Sequence, residues 1–266
     1  MTGGRWPGSG ALLRAFAPWV APLALLAGWE LAALSGLLPH RLLPAPSAVL
    51  QVAIDATLHG DLLGHLGVSA LRAGTGLLLG GFIGLVLGLA TGLSRSLQLL
   101  IDGPVQMLRA IPALALVPLV ILWLGLGEAA KLFIVALTVL FPVYLNTFHG
   151  VRSVDPALLE MAHVYQLRGW RLYQEVVLPG ALPSILVGLR FALGMSWLVL
   201  IVAESVGATS GLGYVAMNAR EFMQMEPLVL TILLWALLGK VTDLGARRLE
   251  RWLLPWQPSR QRLDGV

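Results

Sequence analysis

The chain has 266 residues, 57% hydrophobic and 12% charged, with a formal net charge of +4 and no cysteine. That charged fraction is about half the usual value for soluble domains, and with a mean hydropathy of +0.81 it excludes a soluble globular protein and indicates an integral membrane one. The missing cysteines exclude disulfides, thiol catalysis and cysteine-based metal sites, and the basic excess lies at helix ends, where loops and lipid headgroups meet it, so it is no nucleic-acid signal.

Residues 1–17 are Gly-rich and basic and read as a cytoplasmic tail. Crossing about 30 Å of hydrocarbon takes about 20 apolar residues. Six runs qualify: Pro18–Leu38, His65–Leu93, Ile101–Leu126, Ala129–Gly150, Ile185–Gly207 and Pro227–Leu249. In lipid a helix satisfies its own backbone, and no barrel-like alternation is present, so the expected fold is all-α with six transmembrane helices. The first run carries Trp29 and Glu30 and no small-x-small cleavage site, so it is expected to persist as a helix.

After that run, Pro44 and Pro46 mark a turn, with Ser47 as the expected N-cap of a short surface helix. The second run places Gly76, Gly80, Gly84, Gly88 and Gly92 at intervals of four, a face that lets helix backbones approach closely and is expected to pack within the chain. Pro112 and Pro118 interrupt the third run and are expected to kink it. Arg109, about two turns into that run beside the kink, is a candidate for the inner part of a pathway.

A polar segment follows the fourth run, EMAHVYQLRGWRLYQEVVLPGALP from Glu160 to Pro183. Glu160, Met161, Ala162, then Gln166, then Val176, Leu178 and Pro179 have the spacing of a known loop motif: EAA, three residues, G, nine residues, I-x-L-P. The segment resembles the cytoplasmic loop of permease subunits in binding-protein-dependent ABC importers, with Met161 and Gln166 in place of the usual Ala and Gly. The strings LRAIP, PLVILWLGLGE and FPVYLNTFHG, with PAPSAVL before them, extend the resemblance from about Leu43 to Leu254. GLRFALGMSWLVLIVAESVGATSGLGYVAMNAREF is similar to permeases of the aliphatic sulfonate, taurine and nitrate group, the sulfonate branch most of all.

The resemblance implies the MetI-like type I importer fold, a permease domain over 18–254 with its coupling loop at about 151–184, and a cytoplasmic C-terminal tail at 255–266. It also implies a homodimer with the pathway on the two-fold axis, an extracytoplasmic binding protein, and two cytoplasmic ATPase subunits that bind ATP and Mg. By this likeness Glu160, Met161, Ala162, Gln166, Gly169, Val176, Leu178 and Pro179 dock the ATPase: Glu160 as an acceptor, Ala162 as a small surface allowing close approach, Leu178 and Pro179 fixing the exit angle. A glycine at the position of Gln166 would permit a left-handed turn. With Gln there, the bend is expected three residues later, at Gly169.

Orientation follows from the basic residues. With the N-terminus inside the cell, inner segments hold Arg5, Arg14, Arg95, Arg152, Arg168, Arg171, Arg247, Arg248, Arg251, Arg260 and Arg262, and outer segments hold Arg41, Lys131 and Arg220. Eleven against three favours both termini in the cytoplasm of a bacterial inner membrane. Charges at membrane depth are functional suspects, among them Glu30, Arg72, Arg190, Glu204, Lys240 and Asp243. Glu204 and Arg72 enter from one side and are expected to neutralise each other. Glu204, Trp197, Pro112 and, in an outer loop, Asn218 and Arg220 are candidate pathway or gate residues.

No G-x-x-x-x-G-K-[ST] loop is present, so ATP hydrolysis and its cofactors are assigned to a partner and none to this chain. A membrane-embedded enzyme using Glu204, His149 or Glu30 is the rival reading, but these lie on different runs without a catalytic spacing. The expected work is conformational and non-catalytic.

Overall fold

The computed structural model describes residues 9–39 and 42–256, with side chains from residue 20 onward. Among these, ten helices follow one another without a strand. They are α1 Ser9–Leu34, α2 Pro46–Leu58, α3 Leu62–Leu93, α4 Arg95–Ala110, α5 Val117–Leu124, α6 Glu128–Arg152, α7 Pro156–Val164, α8 Trp170–Ser205, α9 Leu212–Glu221 and α10 Met225–Leu253. Two compact units are distinguished, Met1–Leu62 with Val215–Leu233, and Leu63–Tyr214 with Leu234–Val266.

Four helices, α3, α6, α8 and α10, are long and apolar enough to cross a membrane, and α4 with α5 makes a fifth if that bent pair is one span. The first expected span falls on α1, whose described apolar stretch, Val20–Leu34, is shorter than a full crossing, so the described residues show four spans, or five with the bent pair, where six were expected. Residues 9–17, expected as tail, are already helical, while residues 1–8 and 257–266 lie outside the described residues, as do His40 and Arg41.

The third expected span is not a kinked helix but a broken one. α4 ends at Ala110, a short 3-10 turn covers Ala113–Leu116, and α5 leaves at 82° to α4. Pro112 is the cause: it drives Ile111 out of the helical region, to φ −79° and ψ 120°. α4 itself is amphipathic, with Arg95, Gln98, Asp102, Gln106 and Arg109 among its leucines. The Tyr144 hydroxyl donates to Asp102 Oδ1 at 3.0 Å, and Arg152 donates to Gln98, so two polar contacts tie α4 to α6.

In the first unit Glu30 explains itself. Its carboxylate accepts from the backbone N–H of Ser47 at 3.1 Å and from the Ser47 hydroxyl at 2.7 Å. Ser47 is therefore not the N-cap of α2; Ala45 holds that position with no side-chain cap, and an acid from α1 supplies the missing acceptor at the positive end of the helix.

In the second unit α6 is the central post, with Ile134, Val135, Val139, Val143 and Tyr144 all 2% exposed or less. The glycine face of α3 lies directly on it. A Cβ added at Gly80 would stand 2.0 Å from the Ala136 carbonyl oxygen, one at Gly84 2.5 Å from the Leu140 carbonyl, and one at Gly88 2.6 Å from the Thr147 side chain. Gly76 and Gly92 meet Val135 and Val151 in the same way. α8 packs on another side of the post, where a Cβ at Gly150 would reach the Ala181 carbonyl and one at Gly188 the Pro142 carbonyl, both at 2.9 Å. In lipid the contact of helices rests on this close packing rather than on expulsion of water.

Candidate functional site

Two places on the second unit concentrate polar chemistry: the loop between α6 and α8, and the opposite end of the same helices. At the loop, Asp155 caps α7 by accepting from the Ala157 N–H at 2.9 Å, and Pro156 occupies the first helical turn. α7 ends in a Schellman turn: the Leu167 N–H reaches the Ala162 carbonyl and the Gln166 N–H the His163 carbonyl, each at 2.9 Å, with Gln166 at φ 58°. The bend thus stays at Gln166 rather than moving to Gly169. Gly169 makes a second reversal, at φ 56° and ψ −130°, a conformation open chiefly to glycine.

Opposite outcomes are expected at these two turns. Holding a glutamine in the left-handed region costs about 1 kcal/mol, so Gln166→Gly is expected to raise stability by about that amount, whereas Gly169→Ala lowers it by at least as much. Thermal unfolding of the detergent-solubilised protein reads both; a loss on Gln166→Gly would show that the glutamine side chain contributes something the turn geometry does not reveal.

From Trp170 onward the chain runs as one helix into the membrane-length segment. Pro179 and Pro183 do not break it. Pro179 has no N–H for the Glu175 carbonyl and its ring would crowd that oxygen, and the chain answers with a π turn at Tyr173–Val177, where the Leu178 N–H reaches back to Tyr173. Leu178 and Pro179 therefore lie inside a helix, directly after the π turn, rather than at a break. Val176 packs on the small core of Val151, Val154, Val177, Ala181 and Ile185 beneath the loop. Ala162 is 1% exposed, so its small size serves packing inside the chain and not the approach of another surface. Glu160 is exposed, with no hydrogen bond or ion pair among the described residues, beside Met161 at 50%, Val164 at 80%, Tyr165 at 74% and Trp170 at 71% exposure.

The other end holds a charge cluster in which Arg72, Lys131 and Glu204 are buried and Glu128 is exposed. Arg72 of α3 donates from Nη1 to Glu204 Oε1 of α8 at 2.8 Å, and from Nε and Nη2 to the two oxygens of Glu128 of α6 at 2.6 and 2.5 Å. It spends its remaining donors on the Ser210 carbonyl at 2.7 Å and hydroxyl at 3.1 Å. Lys131 donates to Glu128 at 3.1 Å. Glu204, 1% exposed, accepts in addition from Ser69 and from the Gly213 N–H, both at 2.8 Å. Gly211, at φ 104°, closes the loop over the pair, for a Cβ there would lie 2.3 Å from Glu204 Oε1.

The expected pairing of Arg72 with Glu204 is present, but the sequence reading missed its partners. Lys131 counts there as an outer-loop charge, yet it is 5% exposed on α6, and Glu128 is on no candidate roster. The signal available was Glu128 and Lys131, three apart, at the start of an apolar run at the depth of Arg72 and Glu204. Glu204 is a buried tie between α8, α3 and the start of α9. Trp197, at 7% exposure, belongs to the core with Val120, Ile134 and Leu200. Asn218 and Arg220 sit exposed on α9, a regular helix where a flexible loop was expected.

Arg109 lies in the last turn of α4, not two turns inside a span, and is exposed. With Pro112 it lines a groove of about 340 Å³ whose walls include Phe141, Leu145, Phe191 and Met195. A second groove of about 450 Å³ shares Phe191 and Met195 and holds Arg190, which Asp243 pairs at 2.7 Å.

Comparison with known proteins sets these features in a family. Residues 80–255 match the family described as binding-protein-dependent transport system inner membrane component. The chain is 53% identical over 243 residues to a protein of Escherichia coli (strain K12) named as an aliphatic sulfonates transport permease, SsuC, covering 91% of this chain and 92% of that one. A Bacillus subtilis (strain 168) protein of the same name is 42% identical, covering 90% and 86%, and the taurine transport system permease TauC of Escherichia coli is 33% identical, covering 95% and 92%. Among solved structures, the MetNI methionine ABC transporter in inward-facing conformations matches with a TM-score of 0.55 at 16% identity, over 74% of this chain and 99% of that one. That match shares the fold, the MetI-like arrangement of a type I importer permease. The chain belongs to the family of inner membrane permease components of binding-protein-dependent transport systems.

Proposed function

We propose that this chain is the pathway subunit of an ATP-driven importer of aliphatic sulfonates, working as a pair of copies with two ATPase subunits and an extracytoplasmic binding protein. The observation that carries the substrate is the 53% identity, along nine-tenths of both chains, to a relative named for aliphatic sulfonates, against 33% to one named for taurine. ATP and Mg belong to the partner ATPase. Both termini and the loop of α7 lie on the cytoplasmic side, as the distribution of arginines favours.

In this reading the exposed face of Glu160, Met161, Val164, Tyr165 and Trp170 seats in the ATPase. Closure of the ATPase pair on nucleotide then biases α8 and α6 toward one of two arrangements, opening the pathway to the other side. The unpartnered Glu160 carboxylate and the apolar residues around it support this, because a surface so composed gains by being covered.

Uptake of a labelled alkanesulfonate tests the reading, in cells lacking their own system and supplied with this chain, its ATPase and its binding protein. ATP-dependent uptake is expected, resistant to taurine and nitrate, and reduced more than about tenfold by Glu160→Lys with the protein still inserted, since reversing a docking charge costs several kcal/mol. Uptake displaced by taurine would move the substrate, and uptake indifferent to Glu160→Lys would remove the docking role.

A further inference from the structure

We infer that the groove at the break between α4 and α5 is a transit subsite for an alkyl monoanion, with Arg109 holding the anionic head and Phe141, Leu145, Phe191 and Met195 the alkyl tail. The inference rests on the proposed function for its substrate class and on the groove for its chemistry. Only Arg109 and Thr138 bring polar side chains to the lining, and the Thr138 hydroxyl is spent on the Ile134 carbonyl at 2.8 Å. The guanidinium has no ion pair or hydrogen bond among the described residues.

The neighbouring groove supplies the contrast. There Arg190 already donates to Asp243 at 2.7 Å, and Asp243 also binds Arg247, so the guanidinium of that groove has spent part of its donors on a carboxylate. Arg109 gains something from the negative end of α4, but a helix terminus carries about half a charge and leaves the guanidinium donors unspent. An apolar trough with one uncompensated cation suits an amphiphile with a negative head. It also disfavours a zwitterion, because no acidic side chain lines the groove to meet an ammonium group. The volume of about 340 Å³ is at the lower end of ligand sites, which fits a small anion held weakly and released.

The absence of cysteine gives a direct test. Ala113→Cys places a single thiol on the groove wall of this chain in the assembled transporter, and its rate of modification is measured by mass with two methanethiosulfonate reagents, one bearing an ethylsulfonate group and one a trimethylammonium group. With Arg109 present the anionic reagent is favoured, and Arg109→Gln lowers the anionic-to-cationic rate ratio by more than about tenfold, because one unit charge a few ångströms away in a wet site acts about fivefold on each reagent, in opposite senses. Arg109→Lys keeps the ratio. Hexanesulfonate slows the modification in the Arg109 protein and not in Arg109→Gln, and taurine protects less.

An unchanged ratio in Arg109→Gln, protection that does not depend on Arg109, or a thiol unreactive both at Ala113→Cys and at Met195→Cys would overturn the subsite. Uptake is measured alongside. Charge-dependent labelling without sulfonate uptake would overturn the sulfonate importer and support the anion groove, and uptake without charge-dependent labelling would do the reverse.

Discussion

Gly80→Ala is expected to destabilise the protein by at least about 3 kcal/mol, because its Cβ would stand 2.0 Å from the Ala136 carbonyl oxygen and 2.6 Å from Val139 Cγ2. The obstacle is backbone of α6, which no rotamer change can clear, so α3 and α6 must separate along their length and forfeit close contact at Gly76, Gly84 and Gly88 as well. Alanine improves helix propensity by about 1 kcal/mol, too little to offset the clash. Gly81→Ala supplies the opposite sign: nothing lies within 4 Å of the added atom, and the change should be neutral or slightly stabilising. Expression level and the thermal midpoint in detergent read both. Equal effects at Gly80 and Gly81 would refute the packing of α3 on α6 drawn here.

The second large effect is at the charge cluster. Arg72, Lys131, Glu128 and Glu204 sum to zero. Arg72→Gln leaves them at minus one and Glu204→Gln at plus one, whereas the double change returns to neutrality with Glu128 and Lys131 still paired. Each single change is expected to cost about 3–5 kcal/mol, since an uncompensated charge remains where Glu204 is 1% and Arg72 5% exposed. The double change should cost less than the sum by about 2 kcal/mol. Strict additivity in such a cycle would mean that the two residues act independently despite their 2.8 Å contact.

Much of this architecture was legible because it repeats or is spaced in sequence. The glycine interval of four on α3 names a helix face without reference to its partner, and the segment from Glu160 to Pro179 is marked as a loop by its resemblance to a known motif. Depth along two apolar runs sufficed to pair Arg72 with Glu204. What escaped was whatever depends on a neighbour chosen by the fold. Ser47 has the composition of a cap and is instead capped by Glu30, seventeen residues upstream. Trp197, an amphipathic aromatic, could face a pathway or a core with the same flanking residues, and packing chose the core. Gln166 adopts a left-handed turn because the hydrogen bonds to Ala162 and His163 outweigh its own preference. Pro112 signals a disturbance in α4, but its magnitude, 82°, is decided by the elements on either side.

The uninterrupted α8 joins the two polar ends of the unit, Trp170 beside the exposed loop and Glu204 inside the cluster. At a rise of 1.5 Å per residue this is a rod about 50 Å long. In an importer of the kind proposed, it behaves as a lever with a stiff bearing at the charged end and, in the π turn, one compliant coupling at the other. By that geometry a tilt of about 10° at the bearing sweeps the far tip through roughly 9 Å. A large stroke at the ATPase thus corresponds to a small rotation at the opposite face, which lets the four charges keep their contacts while the rod swings.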